Sequence, residues 1–175
     1  MVKTPICSFC AKTGTLCAQC KKKLRKGKIN TLDIDVSKHL LNMEAKFPNV
    51  RDIDFQKAIP VQDYLALLVN EKSLTQFDEA VLTELKQLLH KDIIPVVRKN
   101  TPRKTIYSLF STLEIIGIDR IYIPDGTQVL QVRLRGNIEG LPAPIEVMRE
   151  VAKHLIKTDI RITIEEKEEA QVAAE

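Results

Sequence analysis

The chain has 175 residues, of which 44% are hydrophobic and 29% are charged, proportions typical of a folded globular protein. No apolar stretch approaches the roughly 18 residues of a membrane-spanning helix, and the first residues lack the apolar core of a signal peptide. We therefore expect a cytoplasmic protein without a membrane partner, in a compartment where thiols stay reduced.

The net charge of +4 is unevenly distributed along the chain. Residues 1–30 contain eight lysines and arginines and no acidic residue, which leaves 19 basic and 23 acidic residues for the remainder. A segment with charges of one sign is typical of contact with an anionic polymer, and a solvated, lysine-rich linker is the alternative interpretation. The basic character therefore belongs to the first thirty residues.

All four cysteines lie within fourteen residues, in the pattern C-x2-C-x6-C-x2-C. Two C-x-x-C pairs can present four thiolates to one tetrahedral ion, so Cys7, Cys10, Cys17 and Cys20 are the predicted ligands of one Zn²⁺. Because four thiolates leave no position for a catalytic water, the metal is expected to be structural. Two disulfides and a thioredoxin-like redox pair are the alternatives, although the strand and helix that flank such a redox pair are not apparent.

The metal is also expected for a reason of stability, because few large apolar residues are available to fold this segment. They are Ile6, Phe9, Leu16, Leu24 and Ile29. So small a core rarely folds thirty residues without a metal or another cross-link. We therefore predict a zinc knuckle or small zinc ribbon over residues 1–30.

Hydrophobic periodicity predicts five further elements between residues 31 and 100. They are a helix at 31–47, strands at 50–59 and 64–69, a helix containing Phe77, Val81, Leu85 and Leu88, and a strand at 93–97. Pro95 cannot donate a hydrogen bond within a sheet, so the last of these strands is expected at a sheet edge or at a β-bulge.

The same order of elements returns about 70 residues later. It comprises a helix at 102–116, strands at 118–123 and 128–134, a helix at 142–156 and a strand at 159–165. The predicted organisation is therefore a metal module at 1–30, α-β-β-α-β units at 31–100 and 101–166, and a flexible tail at 167–175. The expected fold class is α+β.

Four segments carry a resemblance to a known family. They are the run Lys22-Lys23-Leu24-Arg25-Lys26-Gly27-Lys28-Ile29, then Arg103-Lys104-Thr105-Ile106, Ile121-Tyr122-Ile123-Pro124-Asp125-Gly126 and Leu141-Pro142-Ala143. In this order, behind a cysteine cluster, the chain resembles the archaeal NusA-like proteins. The resemblance implies a zinc module joined to two type II KH units, with a role in RNA binding or transcription elongation.

The sequence departs from the KH pattern at the loop that usually clamps nucleic acid. That loop carries G-x-x-G, because glycine lets main-chain amides approach phosphates closely. Here the two positions read SLTQFDEAV (73–81) and EGLPAPIEV (139–147). We therefore expect two KH-like units whose clamping loops are degenerate.

We found no catalytic constellation in the sequence, so a non-enzymatic protein without a small-molecule substrate is expected. The residues predicted to bind RNA are Lys12, Lys21, Lys22, Lys23, Arg25, Lys26, Lys28, Arg103 and Lys104. The expected RNA is ribosomal RNA or a nascent transcript, with the ribosome or RNA polymerase as partner. The alternative is a protein-interaction adaptor that docks on either assembly without clamping nucleic acid.

Overall fold

In the computed structural model, which describes residues 1–165, the chain divides into a first unit, Met1–Arg98, and a second unit, Lys99–Glu175. Each unit combines helices with one three-stranded sheet, which confirms the expected α+β class. The tail predicted at 167–175 lies outside the described residues. Within residues 1–165, no helix is both long enough and apolar enough to cross a bilayer.

The first unit begins with two short helices and continues in the order α-β-β-α-β, with a 3₁₀ segment before the first strand and another after the second. Its elements are α1 (Ser8–Thr13), α2 (Ala18–Arg25), α3 (Thr31–Met43), the 3₁₀ segment Pro48–Asp52, β1 (Phe55–Val61), β2 (Tyr64–Val69), the 3₁₀ segment Glu71–Gln76, α4 (Glu79–Leu89) and β3 (Asp92–Val96). Strand β2 is central, antiparallel to β1 and parallel to β3. Pro95 therefore lies on an edge strand, as its missing amide hydrogen predicts.

The second unit repeats the α-β-β-α-β order and the same strand pairing. Its elements are α5 (Pro102–Leu109), β4 (Glu114–Tyr122), β5 (Gln128–Arg135), the 3₁₀ segment Ile138–Gly140, α6 (Ile145–Ile156) and β6 (Asp159–Glu165). Strand β5 is central, antiparallel to β4 and parallel to β6. The internal repeat predicted from the sequence is therefore present as two sheets of the same topology.

A buried carboxylate connects the first long helix of the first unit to its sheet. Asn30 caps α3 by accepting a hydrogen bond from the backbone N–H of Asp33, and the Asp33 side chain accepts from the backbone N–H of Asn30 at 2.8 Å. The other Asp33 oxygen accepts from the Ala58 backbone N–H in β1 at 2.6 Å. Burial raises the pKa of Asp33, because the ionised form loses its hydration.

The first thirty residues share the core of the first unit. Lys3 pairs with Asp54 in an isolated parallel bridge beside β1, and the buried residues of the N-terminal segment belong to the same apolar cluster as α3 and the sheet. These residues are Val2, Ile6, Cys10, Ala11, Cys20 and Ile29. Where the sequence divides the chain at residue 30, the structure has one compact unit from Met1 to Arg98.

Several predicted elements have different bounds in the structure, and two of them differ by five residues or more. The strand expected at 50–59 begins only at Phe55, because Pro48 opens a 3₁₀ segment that ends at Asp52. The helix expected at 102–116 ends at Leu109, and Glu114 begins β4 opposite Arg135. Apolar residues of the 114–116 stretch fit a helical spacing equally well, but pairing with β5 determines the structure there.

Candidate metal centre and cationic surface

Each C-x-x-C pair lies at the start of a short helix. Cys7 is the N-cap of α1 and Cys10 lies in its first turn, while Cys17 caps α2 and Cys20 lies in its first turn. The first turn of a helix has free backbone N–H groups, which favour negatively charged sulfur. No helix was expected beside the cysteines from the sequence pattern. The structure has two helices there rather than the strands of a ribbon.

The four sulfur atoms converge on one point. All four Sγ atoms lie within 4.8 Å of one another, and all four cysteines are free thiols. Cys7 Sγ lies 3.2 Å from Cys10 Sγ and 3.9 Å from the Sγ atoms of both Cys17 and Cys20. The arrangement can hold one metal ion, and the free thiols do not support the two-disulfide alternative.

The two cysteines of each pair have opposite environments. The backbone N–H of Cys10 lowers the pKa of Cys7, and the backbone N–H of Cys20 lowers the pKa of Cys17 to about 6. Burial raises the pKa of Cys10 to about 12 and also raises that of Cys20. A cation would stabilise all four as thiolates, since metal coordination deprotonates thiols that are otherwise neutral.

The predicted basic residues of the first unit all lie on its surface. Lys12 is exposed on α1, and the others are exposed along α2 and the turn that follows it: Lys21, Lys22, Lys23, Arg25, Lys26 and Lys28. Gly27, in the turn after α2, has a positive φ of 66°, a conformation that glycine commonly adopts just after a helix. Together these seven residues form what we call the cationic surface.

One of these lysines also has a structural contact. Lys23 Nζ donates to the carbonyl oxygen of Pro5 at 2.9 Å, which links α2 to the segment before the first cysteine. The opposite side of α2 contributes Cys20 to the core and packs Leu24 against it. The orientation of the cationic surface is therefore fixed by the same residues that place the sulfur atoms.

Arg103 and Lys104 belong to the second unit, where both are exposed in the first turn of α5. Thr101 caps this helix by accepting from the Lys104 backbone N–H at 3.3 Å. The structure thus brings seven of the nine predicted RNA-binding residues together in one unit and places the remaining two in the other.

One large apolar residue of the metal module lies outside the core. Phe9 is among the five large apolar residues available to this segment, but it is 62% exposed, whereas Ile6 and Ile29 are buried. The signal available in the sequence was its position between Cys7 and Cys10, because both cysteines must face the metal and the residues between them need not.

Comparison with known proteins identifies the fold and no more. No family model matches the chain, and no curated protein matches it. Among solved structures, the chain is similar to one described as "Crystal structure of APE1850", with a TM-score of 0.51 and 16% sequence identity. The match covers 71% of this chain and 96% of that one. At this identity the similarity concerns the fold alone.

Proposed function

We propose that this protein binds RNA without catalysing a reaction, and that the cationic surface of the first unit is its principal RNA contact. The observation that carries the proposal is that seven exposed basic residues lie on α1, α2 and the turn after α2, in a thirty-residue segment without any acidic residue. Such a surface attracts phosphates, because binding releases the counterions condensed on the nucleic acid. Its fixed direction on α1 and α2 distinguishes it from a solvated linker.

We further propose that the metal is a single structural Zn²⁺. Four thiolates are a donor set that zinc prefers, and with Zn–S bonds of about 2.3 Å a tetrahedral site has sulfur–sulfur edges of about 3.8 Å. Two sulfur pairs here are 3.9 Å apart, close to that edge. When bound, the ion would cross-link α1 to α2, and it would have no open position for a substrate.

The two sheet units are proposed to be KH-like, with clamping loops that have lost their function. The α-β-β-α-β order and the 3₁₀ segment before the second long helix of each unit support this assignment. In the first unit, the Asp78 carboxylate accepts from the Val81 N–H at 2.9 Å, at the helix end where a KH loop would hold a phosphate. In the second, Pro142 and Pro144 lack amide donors at the corresponding place.

Within this proposal the KH-like units position the cationic surface, and Arg103 and Lys104 add a contact in the second unit. The resemblance to NusA-like proteins supports ribosomal RNA or a nascent transcript as the ligand, in the setting of the ribosome or RNA polymerase. No reaction is proposed for the protein, because the cationic surface offers binding groups and no nucleophile paired with a base.

A charge-neutralisation experiment tests the proposal. Lys21, Lys22, Arg25 and Lys26 are changed to Gln, while Lys23 is kept because of its contact with Pro5. Affinity for a fluorescent single-stranded RNA is measured by anisotropy over a range of salt concentrations. We expect weaker binding and a shallower salt dependence, by about 0.7 in the slope of log K against log salt for each lost phosphate contact.

The matched control removes four exposed charges from elsewhere in the chain. Its substitutions to Gln are at Arg51, Lys72, Arg120 and Arg161, all of them exposed. The control protein should keep most of its affinity. Equal losses in the two proteins, or no loss in either, would contradict a specific role for the cationic surface.

A second candidate function, that of a protein-interaction adaptor, is favoured by the β4–β5 hairpin. Ile121, Tyr122 and Ile123 are all exposed next to its turn, and Asp125 stabilises the turn by accepting from the Thr127 N–H at 2.8 Å. A fixed, exposed apolar tip is typical of a protein contact. Partners that co-purify after nuclease treatment, and that are lost on Ile121→Asp, would support this function over RNA binding.

A further inference from the structure

The aromatic ring of Phe9 has no role in the core of the first unit. Its side chain is 62% exposed, while the next two residues, Cys10 and Ala11, are 0% and 1% exposed. Burying a phenylalanine side chain stabilises a protein, and Phe9 does not contribute that stabilisation. The exposed ring of Phe9 is therefore available to contact a ligand.

Two residues that follow Phe9 in α1 hold its backbone in place. Cys10 contributes its sulfur to the metal cluster, and the Thr13 hydroxyl donates to the Phe9 carbonyl oxygen at 2.9 Å. An aromatic ring has few rotatable bonds, so little further conformational entropy is lost when a flat ligand packs against it. Phe9 thus presents a preorganised aromatic surface.

The charges around Phe9 indicate the chemistry of its ligand. Lys12 lies three residues further along α1, on the same exposed side of the helix. Among residues 1–30 all charged side chains are basic. An aromatic surface beside cations is complementary to a ligand that combines a flat ring with negative charge, as a nucleotide does.

We propose that Phe9 is a stacking surface for an unpaired base, with Lys12 contacting a neighbouring phosphate. This inference rests on the proposed RNA-binding function and specifies the form of the RNA. Bases in a continuous duplex are stacked inside the helix, whereas bases in single strands and loops are free to stack on a side chain. The metal module is therefore selective for single-stranded RNA or for a loop.

Affinity measurements on Phe9→Ala test the proposal directly. The variant should bind a twelve-nucleotide single-stranded RNA about tenfold more weakly than the original protein, with an unchanged salt dependence, because stacking displaces no counterion. Its affinity for a duplex of equal length should not change. The matched control is Tyr122→Ala, which removes an aromatic residue that is equally exposed at 62%.

The Phe9→Trp variant gives a second readout, because the chain contains no tryptophan. Its fluorescence should be quenched by the single-stranded RNA and unaffected by the duplex, while its affinity stays close to that of the original protein. This measurement keeps the proposal testable if Phe9→Ala loses its metal.

Three results would overturn the stacking role. They are quenching by the duplex alone, equal loss of affinity in Phe9→Ala and Tyr122→Ala, and a Phe9→Ala protein that keeps its RNA affinity but no longer retains a protein partner from nuclease-treated extract. If the original protein bound no RNA at all, the proposed function would fail rather than this assignment alone.

Discussion

The two units share an order of elements and a strand topology, but their sheets differ in composition. In the first unit, buried apolar residues lie on both faces of the sheet, since Ile59, Ala66, Ile94 and Val96 are buried outside the cluster that includes α3. In the second unit, one face carries polar side chains. These include Asp119, Gln131, Arg133, Arg135, Arg161 and Thr163. One topology thus supports two different surfaces, and function must be argued from the residues on them.

A close approach of side chain and backbone illustrates the polar face. The Arg133 guanidinium lies across Gly117 on β4, where an added Cβ would meet the arginine Nη2 at 2.6 Å, and it bonds to Asp119 at 3.2 Å. Half-exposed ion pairs of this kind contribute little to stability, about 0–1 kcal/mol. Their presence distinguishes the second unit from the first, which instead buries Cys10 and Cys20 of the candidate metal centre in its core.

The largest expected difference between the units concerns the metal. A structural zinc contributes about 10–16 kcal/mol of apparent binding free energy, comparable with the whole stability of a domain. Because Cys10 and Cys20 belong to the core shared with α3 and the sheet, a strong chelator should increase hydrogen exchange throughout α1, α2 and α3. Exchange in the second unit should stay unchanged, and added zinc should restore the protection.

Mass-spectrometric hydrogen exchange separates this account from two others. If only residues 1–28 lost protection, the metal module would be independent of the sheet, contrary to the shared core. If β4–β6 lost protection as strongly as α3, the stability of the second unit would depend on the metal as much as that of the first.

A smaller difference between the units is expected in the stability lost when a buried polar residue is replaced in the first helix of each α-β-β-α-β unit. Asp33 accepts from two backbone N–H groups, whereas Thr105 in α5 accepts from the Lys99 N–H at 3.1 Å. Asp33→Asn leaves one donor without an acceptor and should destabilise the first unit by about 1–3 kcal/mol. Thr105→Val should destabilise the second by about 1 kcal/mol.

The effect of Asp33→Asn should also depend on pH. Because the pKa of Asp33 is raised in the folded chain, its contribution to stability is greatest below the unfolded pKa and decreases as pH rises through the folded pKa. The free-energy difference between the original protein and Asp33→Asn should therefore shrink as pH rises from about 4. Loss of metal in acid affects both proteins alike and cancels in this difference. The difference is measured by urea unfolding, and a difference that grew as pH rose would contradict a pKa of Asp33 raised by burial.

The sequence predicted much of this fold because its apolar periodicity agrees with the tertiary structure over most elements. The strands at 64–69 and 159–165 have the predicted bounds. The apolar spacing gave the wrong element where a residue distant in sequence determines the conformation. Glu114 is the example: it pairs with Arg135 in the sheet, and the spacing of residues around Glu114 contains no sign of that pairing.

The candidate metal centre was predictable because two closely spaced C-x-x-C pairs are typical of a structural metal site. The exposure of Phe9 was not predictable, because hydrophobicity alone does not show on which side of a six-residue helix a side chain lies. Nor does spacing show that Cys10 and Cys20 are part of the first unit's core. That depends on contacts of Ile6 and Ile29 with residues far along the chain.

The measurement that tests the central claim most directly is ultraviolet crosslinking of the protein to RNA in cell extract, followed by mapping of the crosslinked peptides. We predict crosslinks concentrated within residues 3–28, with Phe9 among the modified residues and fewer crosslinks around Arg103 and Lys104. The account would be contradicted by RNA-free protein partners that survive nuclease treatment, together with no crosslink between residues 3 and 28.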